Sequence, residues 1–212
     1  SDMLKELKDG HTNLISPWDV SRYWIWEQYP VNYDERIIDQ YYLNFDYKRT
    51  CGIKYQILKN NYGYMYYGDF SSGIGEGNLD NILAYLASSD GLIIDVRDNP
   101  GGNSGNGDPV ARHFIAQSLR AGAWESREYI PAFASWRMAE RVYRQEGALM
   151  TLDANSKLER YTKPVALLVN RGTFSAAEDF TALMRATGHC ALVGEPTGGS
   201  TGNGVRIAVI PG

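Results

Sequence analysis

Gly91-Leu-Ile-Ile-Asp-Val-Arg-Asp-Asn-Pro-Gly-Gly102 is the stretch on which the fold is read. Its first six residues are nearly all apolar and of strand length, the pattern of a strand buried on both faces of a sheet. Asn99-Pro100 stops that strand. The glycine pair after it lets the backbone turn tightly and leaves N–H groups exposed. Downstream, the alternation continues. A helix is predicted over about 109–120, with Val110, Phe114, Ile115 and Leu119 on one side. Pro164–Val169 reads as a second buried strand. A helix over about 175–186 turns Phe180, Leu183 and Met184 inward. Ala191–Gly194 is a third strand, Thr197–Gly204 a glycine-rich loop and Val205–Ile210 a fourth strand. Strand and helix in alternation mean an α/β layer whose strands are mostly parallel.

Upstream, residues 3–9 read as the end of a helix closed by Gly10, and 11–16 as short and extended. Residues 17–50 are rich in Trp and Tyr and have no clear period. Tyr55–Leu58 and Tyr64–Tyr67 read as a hairpin, with Asn60, Asn61 and Gly63 between them. A loop over Ser71–Gly77 leads into a helix carrying Leu79, Ile82, Leu83 and Leu86, with Asn78 as candidate cap. Residues 121–162 are polar and mixed, with a helix around 134–146 and a hairpin-like piece. No internal repeat is evident.

The chain has 212 residues, 43% of them apolar and 22% charged, enough for one ordinary domain with a sizeable core. A net charge of −4 argues against a nucleic-acid or anionic-membrane partner. No apolar run approaches the roughly 20 residues of a membrane-spanning helix. Tyr (15) and Trp (5) suit either a ligand cleft or an ordinary aromatic core. Cys51 and Cys190 lack metal-ligand spacing, and the sequence leaves open whether they pair. The order of glycines over Gly101–Gly107 does not fit a dinucleotide loop. Neither a metal nor a cofactor is expected. The Ser-Asp start and the Ile-Pro-Gly end both read as cuts in a longer protein.

Parallel α/β sheets carry their sites where strands end and helices begin. Two junctions qualify: Asp95–Gly102, and Asn170-Arg-Gly-Thr-Phe-Ser-Ala-Ala-Glu178. In the second, Gly172 permits a sharp turn and Ser175 opens a helix. Its hydroxyl and the N–H of Ala176 can then face one space. The competing local reading makes Ser175 a helix cap, with Glu178 completing a capping box.

Three ordered motifs carry a resemblance: Gly91–Gly102, Lys163-Pro-Val-Ala-Leu-Leu-Val-Asn-Arg-Gly-Thr-Phe-Ser-Ala-Ala-Glu-Asp179, and Val193-Gly-Glu-Pro-Thr-Gly-Gly199. Together they resemble the tail-specific and C-terminal-processing serine peptidases, from about residue 63 to the end. The resemblance implies a crotonase-like α/β core built on a ββα superhelix, a mostly parallel sheet flanked by helices. It implies residues 63–212 as that core and 1–62 as an N-terminal segment. Ser175 takes the nucleophile position. The N–H of Ala176 and one from Gly101 or Gly102 take the oxyanion hole. The lysine that deprotonates the serine in one branch aligns with Ser200, and no lysine follows Lys163. The tricorn-like branch uses a histidine from a short N-terminal segment, which Asp9-Gly10-His11-Thr12 resembles, so His11 is the candidate base. His113 and His189 read as structural. The glutamate that orients the histidine in that branch is expected beyond Gly212. Glu195 and Glu178 are in-chain substitutes, and Ser200 can shape the site. A protein or peptide substrate cut near its C-terminus, and a secreted, periplasmic or cell-envelope location, are implied likewise. No PDZ module is evident between His11 and the core. Two other readings stay open: a non-catalytic module binding a peptide, glycan or hydrophobic ligand, and an acyl-CoA enzyme on the crotonase fold.

Overall fold

The computed structural model describes residues 2–23, 30, 32–129 and 142–202. Helix α1 (Asp2–Leu7) leads into a small ribbon of β1 (Asn13–Ile15) and β2 (Val20–Arg22). Helix α2 (Glu35–Ile37) continues as a π-turn over Ile38–Tyr42. Strands β3 (Lys48–Thr50), β4 (Ile53–Ile57) and β5 (Tyr62–Tyr66) follow, then helix α3 (Glu76–Leu86) and strand β6 (Gly91–Asp95). The remainder is α4 (Asp108–Arg112), β7 (Leu119–Tyr129), β8 (Val142–Leu152), β9 (Val165–Val169), α5 (Ala176–Ala186) and β10 (Cys190–Gly194). Among these, no helix is long and apolar enough to cross a membrane.

One six-stranded sheet has the order β10-β9-β6-β5-β4-β3. It is parallel from β10 to β5 and antiparallel at β5–β4–β3. The predicted hairpin is β4–β5, shifted by up to two residues. β6 lies inside the sheet, so both its faces are covered and its sequence needs no polar alternation. Leu92 and Ile94 are buried with Val96 just beyond the strand end. They join Leu79, Ile82 and Leu86 of α3 and Phe180, Leu183 and Met184 of α5 in one core. Lys54 of β4 is buried because its ammonium reaches Glu35 (2.7 Å) and Asp39 (2.5 Å), tying the α2 segment to the sheet.

Three expectations need correction. The helix predicted over 109–120 ends at Arg112. His113 gives its carbonyl to the N–H of Tyr161 (2.9 Å), and Ser118 Oγ accepts from Ala154 N–H (3.0 Å), so bonds to distant residues draw the segment into β7. The helix predicted around 134–146 is strand β8 from Val142 onward, paired antiparallel with β7, and the hairpin expected there is this β7–β8 arm. Its residues 130–141 lie outside the described residues, as does the strand predicted over 205–210. Helix α3 begins one turn early with Gly75 at its cap, and Asn78 instead turns its amide to Cys51 Sγ (3.2 Å).

Candidate active site

Both predicted junctions lie at the same end of the sheet, since β6 and β9 are adjacent and parallel. Side chains and backbone lock them together. Asn99 is wholly buried; its amide donates to Tyr67 O (2.7 Å), and its Oδ1 accepts from Gly101 N–H (2.8 Å). Its carbonyl accepts from Phe174 N–H (3.0 Å). Asn170 does the same from the other strand: its Oδ1 accepts from Asp98 N–H (2.9 Å) and Gly172 N–H (3.0 Å). Thr173 Oγ1 donates to Val96 O (2.8 Å). Asparagines suit this work because a short amide can close a turn and still reach a second segment of the chain. The sequence pointed to the glycines and the serine; Asn99 was read only as ending its strand, and Asn170 and Thr173 had no role. The legible signal was two asparagines, each at a strand end just before a glycine turn.

Ser175 sits at the N-cap of α5 with φ 57° and ψ −122°, a strained conformation for a residue with a side chain. Its own hydroxyl makes no cap bond. Its N–H donates to Gly199 O (3.0 Å), and the Glu178 carboxylate accepts from Gly199 N–H. The capping-box alternative therefore fails on both halves. The strain is held by the neighbours: Phe174 is tied to Asn99, and Gly198 N–H donates to Thr173 O (2.7 Å).

The glycine pair abuts this turn. A Cβ on Gly101 (φ +91°) would lie 2.7 Å from Ala176 N and 2.8 Å from Ser175 Cβ. A Cβ on Gly102 (φ +140°) would lie 2.4 Å from the Phe70 carbonyl carbon. Gly101 N–H is already taken by Asn99. Gly102 N–H and Ala176 N–H have no hydrogen-bond acceptor among the described residues. Of the two predicted donors, the geometry thus leaves Gly102 free beside Ala176, and Gly101 supplies closeness. A cleft of about 680 Å³ is lined by Ser71, Gly102, Ser175, Ala176, Asp179 and Trp124, among others.

His11 is half-buried, with its ring 5.0 Å from that of Phe174, the residue before Ser175. No hydrogen bond joins the imidazole to Ser175 among the described residues. Asp9 holds the loop, accepting from His11 N–H (3.2 Å), from the Thr12 hydroxyl and from Ser200 Oγ (3.3 Å). Burial pushes the Asp9 carboxyl upward, but bonds from Thr12 and His11 outweigh it and leave the group below its ordinary value. Ser200 therefore touches the histidine loop. Glu195 is exposed and lines a separate cleft between α5 and β10, so it is not brought to Ser175. His113 is buried with Nδ1 at Glu159 O (3.0 Å), and His189 Nε2 meets Lys163 O (2.7 Å); neither lines the cleft beside Ser175. Cys51 and Cys190 are free thiols, and burial pushes Cys190 up to about 11.

Asp179 was assigned no role from the sequence. It is 6% exposed, and its Oδ1 has no hydrogen-bond partner. Burial, then the carboxylates of Glu178 and Asp108, raise its pKa to about 6. Because the folded value exceeds the unfolded one, the charge on Asp179 costs stability that grows from about pH 4 and is complete above about pH 6. Asp179→Asn is expected to stabilise the fold at pH 8 by up to about 3 kcal/mol, a gain that fades between pH 6 and 4. Urea midpoints across that range measure it; a gain that does not depend on pH would refute the assignment.

A family model described as "Peptidase family S41" matches residues 61–209. A crystal structure from Parabacteroides merdae ATCC 43184, provisionally described as a peptidase, is 40% identical and superposes with a TM-score of 0.81. That match covers 94% of this chain, and this chain spans 61% of that one. A mutant form of the protein CPAF is 12% identical with a TM-score of 0.51, over 69% of this chain and 40% of its own, a likeness of fold alone.

Proposed function

The chain belongs to peptidase family S41, and from that premise we propose a serine endopeptidase with Ser175 as nucleophile and His11 as base. The imidazole takes the hydroxyl proton as the serine oxygen attacks a peptide carbonyl. The N–H groups of Gly102 and Ala176 receive the oxyanion. The protonated histidine then gives its proton to the leaving amine, and water cleaves the acyl-enzyme. In this reading residues 1–62 contribute the histidine and 63–212 form a crotonase-like core, with β3 and β4 extending its sheet. Substrates are proteins or peptides cut near their C-termini, met outside the cytoplasm.

The carrying observation is the strained Ser175 turn, with two unengaged backbone N–H groups beside one open cleft. The lack of a hydrogen bond between His11 and Ser175 among the described residues is compatible with a resting site, since such bonds often form only on substrate binding. Among the described residues no carboxylate bonds the His11 imidazole, so the group that orients it is sought outside them.

A fluorophosphonate probe tests the reading on that protein. Labelling is expected at Ser175, lost in Ser175→Ala and slowed at least a hundredfold in His11→Ala. Failure to label the folded protein would favour a non-catalytic binding module on the same fold. Labelling unchanged by His11→Ala would remove the histidine from the mechanism.

A further inference from the structure

We propose that Asp179 forms the floor of a specificity pocket beside Ser175, and that it selects peptides with a lysine or arginine at the residue whose carbonyl is attacked. The inference rests on the peptidase reading and deepens it by naming the substrate side chain.

Asp179 lies four residues after Ser175 in α5, so the two share a face of the helix one turn apart. It lines the same cleft as Ser175, Ala176 and Gly102. The nucleophile and both free N–H groups thus stand at one level and the carboxylate at the next. A substrate carbonyl held at the upper level sends its own side chain downward. A buried carboxylate oxygen without a partner is costly, and folds rarely keep one unless something completes it. Nothing in the described protein does so. The charged groups acting on Asp179 are the acids Glu178, beside it in α5, and Asp108, at the start of α4. Arg112 acts on Asp108 rather than on Asp179. Two further features suit a long cationic side chain. Trp124 on β7 is 36% exposed on the cleft wall, where an aliphatic stem or a guanidinium can lie against its ring. Asn103 and Ser104 add polar groups to the cleft lining.

The competing explanation is the helix dipole, which favours acids in the first turn. An exposed carboxylate serves that purpose equally well. Glu178, the neighbouring acid, is only half-buried and has a partner in Gly199. The dipole does not explain why Asp179 is enclosed and left short of one.

The test uses full-length protein carrying Ser175→Ala, so that binding is read without turnover. Two peptides differing only in lysine or norleucine at the scissile position are titrated calorimetrically at pH 8. The lysine peptide is expected to bind at least tenfold more tightly, and adding Asp179→Asn should bring the ratio close to one. Asp179→Ser, which removes the charge and leaves room, should give the same loss, with melting curves verifying both folds. Equal affinities in the Ser175→Ala protein, or a lysine preference that survives both Asp179 variants, would overturn the proposal. These outcomes are separable from failure of the peptidase reading. That failure shows as no fluorophosphonate labelling and no cleavage of either peptide, while the affinity ratio still decides the role of Asp179.

Discussion

Ser175→Ala in the full-length protein is expected to lower kcat/KM for a peptide by roughly four to six orders of magnitude while leaving the fold intact. The size follows from the nature of the step. Without the hydroxyl there is no acyl-enzyme, and only positioning and the backbone donors remain. The harmlessness to the fold follows from the local structure. The Ser175 hydroxyl makes no cap bond to α5, so its loss should change stability within about 0.5 kcal/mol. Most single-residue losses of activity trade one against the other, and this one should not. Combining it with His11→Ala should add almost nothing, because the two side chains serve one proton transfer. Steady-state rates on a C-terminal peptide, with urea unfolding of the same samples, give both numbers. Activity within tenfold of the unaltered protein would remove Ser175 from the mechanism.

The sequence made the layer legible because burial on both faces erases alternation. Gly91–Asp95 and Val165–Val169 could be little else than interior strands, and they are neighbours in the sheet. It also made the two junctions legible, since glycines at strand ends mark sharp turns. The failures have a common cause. Over 109–120 the apolar spacing suits a helix, and 142–146 falls in a polar, mixed stretch read as one, yet both segments are decided by hydrogen bonds to distant parts of the chain, as at His113–Tyr161 and along β7–β8. Local periodicity carries no record of such pairings. The same holds within the site. That Gly102, and not Gly101, keeps its N–H free depends on where the Asn99 side chain folds back. That Ser175 escapes its cap depends on Gly199, 24 residues on, which takes both the Ser175 N–H and the Glu178 carboxylate. Nothing in the sequence marks Asp179; its burial beside the Ser175 cleft with a carboxylate oxygen left unpartnered belongs to the fold.

Gly101→Ala carries the second large expectation, and it separates closeness from catalysis by donation. Gly101 spends its N–H on Asn99, so it offers nothing to a developing oxyanion. Its contribution is the missing Cβ. An added carbon would sit 2.7 Å from Ala176 N, 2.7 Å from Phe174 O and 2.8 Å from Ser175 Cβ. Two of those three are backbone atoms of the strained turn and cannot swing aside. Either the serine segment or the glycine loop must move, and a shift near 1 Å at a reacting centre costs about a hundredfold. Misplacing Ala176 N–H or Gly102 N–H as a donor costs about a further hundred to a thousandfold. A fall in kcat of at least three orders of magnitude is therefore expected, together with a loss of about 1–3 kcal/mol from the left-handed backbone. Gly188→Ala is the control. Gly188 also has positive φ (+66°), yet its Cβ would meet nothing within 4 Å. It should lose only about 1 kcal/mol of stability and keep full activity. If the two variants lose stability alike and both retain turnover, the contact between the glycine loop and Ser175 has no catalytic consequence, and the junction is only a way of closing the fold.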